Sequence, residues 1–219
     1  MAASGKRGPY KVGIERRKAI IEQATEAFAS SGYYGGTMRD IAARVGVTPT
    51  ALSRYFASKE ELLIAVAEDA LSRWRAYVDE VMGPDRRGLD YVRGIPRVIE
   101  YMEKNPGIAR LIMMLNVEGA ADGHPAHSYI LERYRTSRES FARHIAEAVE
   151  DGRVPAFTPE QIVLEADQLA AALNGALMLT ALRAGSTEAE LRYTSAFEVF
   201  TAHIDATIGR WRATAALGG

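Results

Sequence analysis

Apolar residues recur along most of this chain at steps of three and four, and no stretch shows the sustained alternation and β-branched enrichment of a strand. The pattern predicts an all-α protein. Ile20, Ile21, Ala24, Ala27 and Phe28 form one stripe from about residue 15 to Ser31, and Gly32 is placed to end it. Thr37, with Asp40 three residues on, caps a short helix that buries Met38, Ile41, Ala42 and Val45 before Gly46 stops it. Thr48 and Pro49 supply an N-cap and a first-turn proline for another, burying Ala51, Leu52 and Tyr55, with Phe56 as an apolar plug. Ser58 and Glu61 then open a long helix along which Leu63, Val66, Ala70, Trp74, Tyr77 and Val81 continue for about six turns.

Gly83, Pro84 and Gly88 interrupt the pattern, and further starts fall at Asn105-Pro106, His124-Pro125, Thr158-Pro159 with Gln161, and Thr187 with Glu190. Residues 126–151 are expected to bury Ile130, Tyr134, Phe141, Ile145 and Ala148. Residues 188–212 are expected to bury Phe197, Phe200, Ile204, Ile208 and Trp211. The reading gives about nine helices, with structureless ends at 1–12 and 213–219. There is no internal repeat or low-complexity tract.

Charge changes this picture. The net charge of -1 hides a division: residues 1–56 carry nine Lys and Arg against four acids, or +5, which leaves -6 for the rest. A basic head on an acidic body suits a phosphate backbone at one end only. The chain has no cysteine, which excludes disulfides, thiolate zinc and Cys nucleophiles. The apolar stretches Ile108 to Val117 and Ala170 to Leu182 fall short of the ~18 to 20 residues that span a bilayer, and Arg110 and Asn174 interrupt them. With no apolar run after Lys6 and Arg7, a cytoplasmic protein with no membrane partner is expected.

Two short capped helices joined at Gly46-Val47 behind a supporting helix have the organisation of a helix-turn-helix, whose second helix enters a major groove. Gly46 suits a tight turn that needs a positive φ, and Val47 packs beneath it. The segment TMRDIAARVGVTPTALSRYFASKEELL, Thr37 to Leu63, preceded by Ala27-Phe28 and Gly32, strongly resembles the TetR family of bacterial regulators over about residues 15–65. The resemblance implies a DNA-binding domain at 1–60 and a ligand-binding and dimerisation domain at 61–219. It places Thr48, Pro49, Thr50, Ala51 and Arg54 on the exposed recognition face, with Tyr55 and Lys59 near phosphates. Thr37, Arg39 and Ser53 complete the candidate DNA contacts, Arg39 being suited to a bidentate bond with guanine. Ser53 stands where the family often has a phosphate-binding tyrosine, and Arg54 is placed to compensate. Lys6, Arg7, Lys11, Arg16, Arg17 and Lys18 form either a DNA-binding arm or a solubilising tail.

One reader of this size touches few base pairs, so a near-palindromic operator read by a homodimer is expected, with readers roughly 34 to 36 Å or a multiple apart. The last two helices, at about 158–184 and 188–212, are apolar enough to form the dimer, and Ala170, Ala171, Ala172, Gly175 and Ala176 permit close approach. The resemblance further implies a small-molecule effector in a cavity between the long fourth helix and the dimer helices. Trp74, Tyr77, Met102, Met113, Met114, Asn116, Tyr134, Asn174 and Met178 are its candidate lining. Asn116 and Asn174 stand out, since a polar amide inside an apolar stripe must find a partner. Asp122, His124 and His127 lie in a loop read as a surface segment of solvated histidines, with a metal cluster as the alternative. No phosphate loop, HExxH or nucleophile elbow argues for an enzyme, and no cofactor is implied. The expected function is a repressor whose effector pivots the fourth helix; the rivals are an activator, or a small-molecule-binding protein or degenerate enzyme whose reader no longer binds DNA.

Overall fold

Prolines and capping hydroxyls set where the helices begin. The computed structural model describes residues 9–83, 85–184, 186 and 194–217. Among these the order is α1 (Pro9–Ser31), α2 (Met38–Val45), α3 (Pro49–Ser53), α4 (Lys59–Met82), α5 (Gly88–Gly94), α6 (Pro96–Lys104), α7 (Pro106–Glu118), α8 (His127–Glu150), α9 (Pro159–Ala184) and α10 (Ala196–Leu217), with no strand among the described residues. Thr37, Thr48 and Ser58 each accept a backbone N–H from the third residue on, at 3.2, 3.1 and 3.0 Å. Thr158 does the same for Gln161, whose side chain returns a 2.8 Å bond to the Thr158 N–H. Pro96 and Pro106 sit in the first turns of α6 and α7.

The break between α5 and α6 has no counterpart in the sequence reading. Ile95 is at once the last cap of α5 and the first of α6, and the Pro96 ring removes the N–H that would continue one helix into the next. Counted as one bent rod, the pair restores the nine helices the pattern predicts.

One buried apolar cluster runs from Ile20 in α1 to Trp211 in α10. Helix α1 packs on α2 and α4 on one side and along α7 on the other, while α9 is packed by α6, α7, α8 and α10. Glu165 of α9 holds Arg210 of α10 through paired bonds of 2.6 and 2.7 Å, which fixes the last two helices against each other.

Several burial expectations need correction. Val81 is exposed, because the α4 stripe drifts to Val78 and Met82 as the helix turns through its 3.6-residue period. Tyr134 is also exposed, on the outer side of α8. The ends are more ordered than composition suggests, since α1 starts at Pro9 and α10 reaches Leu217. Helix α3 has only five residues, because Tyr55 and Phe56 N–H both fold back to the Leu52 carbonyl. Lys6, Arg7, Pro84, Thr187 and Glu190 lie outside the described residues, as do residues 188–193 of the last expected helix.

Candidate nucleic-acid interface and effector region

Gly46 fixes the angle between α2 and α3. Its φ is +70°, its N–H bonds the Ala43 carbonyl at 3.2 Å, and the Val47 N–H bonds the Ala42 carbonyl at 3.0 Å, the two closures of a Schellman turn. Nothing lies within 4 Å of where a β-carbon would be, so the demand for glycine here comes from backbone conformation and not from crowding. Val47 is half-buried beneath the turn. Leu52, completely buried, nails α3 to the core, and Phe56 is sealed in behind it with the Arg17 guanidinium 4.7 Å above its ring.

With Leu52 turned in, Thr48, Pro49, Thr50, Ser53 and Arg54 face out, while Ala51 and Tyr55 are half-buried. These exposed groups form the face assigned to DNA. Arg39 and Arg54 are exposed and make no ion pair with a described residue, so both guanidinium forks are available. Thr37 and Ser53 are more committed. The Thr37 hydroxyl donates to Asp40 at 2.7 Å while accepting its N–H, and the Ser53 hydroxyl donates to the Pro49 carbonyl at 3.0 Å. These bonds from Thr37 hold the Asp40 carboxyl below its ordinary range.

Lys59, expected near phosphates, is already engaged within the protein. Its ammonium donates to the carbonyls of Tyr33 and Gly36 and lies 4.4 Å from the centre of the Tyr33 ring. Burial lowers its pKa. It staples the start of α4 to the loop between α1 and α2. The other side of that loop is held from the body: Glu118, the last residue of α7, accepts the Tyr33 N–H at 2.9 Å and crowds Gly32, where a β-carbon would come within 2.3 Å of its carboxylate.

His124 joins the same cluster and is buried, which corrects the reading of solvated loop histidines. Its ring meets Tyr33 and Tyr34 edge-on at 5.1 and 5.7 Å, its Nδ1 accepts the Ala126 N–H at 3.1 Å, and its Nε2 lies 3.5 Å from Glu118. His127 instead bonds the Gly119 carbonyl, 3.5 Å from Asp122. Among the described residues no group of three such side chains could hold a metal ion. Sequence reasoning missed Tyr33, Tyr34 and Glu118, whose roles depend on approach between segments some 85 residues apart.

The nine effector candidates do not converge on one cavity. Asn116 of α7 and Asn174 of α9 do meet, through a 3.0 Å bond, and Asn174 also donates to the Ala170 carbonyl at 2.9 Å. Met113, Met114 and Met178 line a surface groove of about 490 Å³ between the ends of α1, α7 and α9. Met102 is a fully buried core residue, and Tyr134 reaches toward Asp167 at 3.5 Å on the outer surface. Trp74 and Tyr77 are half-buried on α4, the Tyr77 hydroxyl bonded by Lys104 at 3.0 Å. Arg133, which the sequence reading passed over, completes the amide pair by donating to the Asn116 carbonyl oxygen.

Comparison with known proteins bears on both halves of the chain. Residues 20–66 match the family model described as bacterial regulatory proteins, tetR family. The HTH-type transcriptional regulator BetI of Rhizobium meliloti is 42% identical over 67 residues, 30% of this chain and 33% of BetI. RutR of Escherichia coli K12, of the same description, is 33% identical over 108 residues, 48% of this chain and 50% of RutR. The chain thus matches between a third and a half of the length of these curated relatives. A solved structure, a putative TetR-family transcriptional regulator from Rhodococcus sp., superposes with a TM-score of 0.71 at 22% identity, covering 90% of this chain and 99% of that one. The α3 face built around Gly46 thus lies within the segment, residues 20–66, that matches the tetR family of bacterial regulatory proteins, and the chain as a whole shares the Rhodococcus protein's fold.

Proposed function

We propose that this chain is a sequence-specific transcriptional regulator that binds a near-palindromic operator as a homodimer and acts as a repressor released by a small-molecule effector. The observation that carries the reading is the short helix α3, pinned by Leu52 and turned by Gly46 so that Thr48, Thr50, Ser53 and Arg54 stand clear of the protein. The proposal divides the chain near residue 60, with the reader before it and the effector and dimer helices after it. It acts by binding and not by catalysis, and works in the cytoplasm, where its operator is.

The dimer face assigned here is the outer side of α9 and α10. Leu164, Gln168, Ala171, Gly175, Met178 and Leu182 are exposed at steps of three and four along α9, and Val199, Ala202, Ala206 and Gly209 along α10. Helix α9 is long and apolar enough by length and composition to cross a membrane. Its inner face packs on four helices, and the small residues of its outer face suit a second copy of the same helices better than lipid.

Fluorescence anisotropy against DNA flanking the protein's own gene tests the reading, with particle mass measured by light scattering. A dimer whose operator affinity falls about 0.9 log units per log unit of salt for each phosphate contacted is expected. A monomer, or no binding at low salt, overturns it.

A further inference from the structure

Arg133 of α8 faces inward, where Asn116 of α7 and Asn174 of α9 meet. Its Nε is sealed from water and has no hydrogen-bond partner among the described residues. No carboxylate of a described residue lies within ion-pair distance. Tyr129, one turn earlier on α8, is the group that bears on it electrostatically; Glu68 and Arg75 of α4 act on Tyr129 in turn. Burial pushes the Arg133 pKa down, yet a guanidinium stays charged at any working pH. A charge half removed from water and held by one amide oxygen is costly for a fold to keep.

We propose that Arg133, with the Asn116–Asn174 amide pair, is the anchor for the oxyanion of a small organic anion, a carboxylate or a phosphate monoester, and that this anion is the effector. The inference rests on the regulator reading and deepens it by naming the ligand's chemistry. The unpaired Nε–H and the guanidinium fork match the geometry of a carboxylate or phosphate, and Asn116, which Asn174 holds in turn, is the side chain bonded to the guanidinium. Met113, one turn before Asn116 on α7, and Ile130, one turn before Arg133 on α8, are partly buried apolar side chains, so an apolar tail on the ligand is the form tested. Asn116 lies two residues before Glu118 on α7, which places the anchor less than a turn from the bond that holds the Tyr33 loop.

Four probes with one tail and different heads test it on the full-length dimer: octanoate, octyl phosphate, octanol and octyltrimethylammonium. At millimolar probe, octanoate or octyl phosphate should raise the melting temperature by ~2 °C or more above octanol. The cation should not, and whichever anion gains more identifies the head. Arg133→Gln should erase the anion gain. Arg133→Met, which removes the unpaired charge, should melt higher than the wild type without any probe. Anions no better than octanol, a gain that survives Arg133→Gln, or an Arg133→Met protein that melts lower would each overturn the assignment. A carboxylate from the partner subunit in place of a ligand would give that last result. Operator binding without a probe decides the regulator reading separately, since no anion takes part in it.

Discussion

Glu118, at the last turn of α7, accepts the backbone N–H of Tyr33 at 2.9 Å, joining the end of α7 to the loop that leads into α2. The same carboxylate lies 3.5 Å from the buried His124 Nε2, so Tyr33 and His124 both sit against one residue at the end of α7. The end of α7 thus touches the loop before α2 directly, and α7 packs less against α4 than against α1.

Replacing Glu118 by alanine leaves a partly buried N–H without an acceptor, at a cost of about 1 to 3 kcal/mol. Glu118→Gln keeps an acceptor oxygen and should recover much of the loss. Thermal unfolding of the two variants checks this, and equal melting temperatures would show that the bond contributes nothing.

At Gly46 the space for a side chain exists but the backbone conformation disfavours one. Gly46→Ala is expected to cost about 1 to 2 kcal/mol, and Gly46→Val more, because a β-branched chain tolerates left-handed φ least. Operator affinity should fall in the same order. If both variants bind like the wild type, the turn does not set the α3 angle.

Arg39 and Lys59, both assigned to DNA from the sequence, are expected to behave differently. Arg39→Ala should leave the melting temperature unchanged and alter base preference at one operator position by ~1 to 3 kcal/mol. Lys59→Ala releases the Tyr33 and Gly36 carbonyls, so it should lower the melting temperature as well as weaken binding to all sequences alike. Anisotropy on an operator series, read beside melting curves, separates the two; matching profiles would refute the division.

Glu100 is one of several carboxylates, Asp40 and Glu165 among them, that are held below their ordinary range and so make stability fall in acid. The Arg97 guanidinium at 2.7 Å and the Lys104 ammonium at 2.9 Å hold the Glu100 carboxyl down from 4.5 to about 2. With the folded value below the unfolded one, the contribution is complete above about 4.5 and is lost as pH falls toward about 2. Because both cations are largely exposed, it amounts to under ~1 kcal/mol. Glu100→Gln should flatten the decline in stability across that window, and an unchanged slope would assign the acid limb elsewhere.

What the sequence disclosed follows from which interactions are local. The caps at Thr37, Thr48, Ser58 and Thr158 bind within three residues, and each stands where the spacing places it. The buried faces of α2 and α10 follow from periodicity alone. Lys59 could not be read the same way, because its partners are carbonyls of a loop 23 to 26 residues earlier, and a carbonyl leaves no mark in a sequence. Asn116 and Asn174 were legible as amides in need of partners, but finding each other and Arg133 required the tertiary approach of α7, α8 and α9. The nine effector candidates scattered for the same reason: aromatic and Met residues fill cores as readily as cavities, as Met102 shows.

The unbroken apolar cluster from α1 to α10 has a thermodynamic corollary. A calorimetric scan should give one endotherm, because the buried residues of α1–α3 are continuous with those of the helices that follow. Cut away at residue 60, it would lay bare the side of α1 that rests on α7 and lose its structure. The operator affinity proposed for it would in that sense be a property of the entire folded chain, open to tuning by substitutions far from any nucleotide.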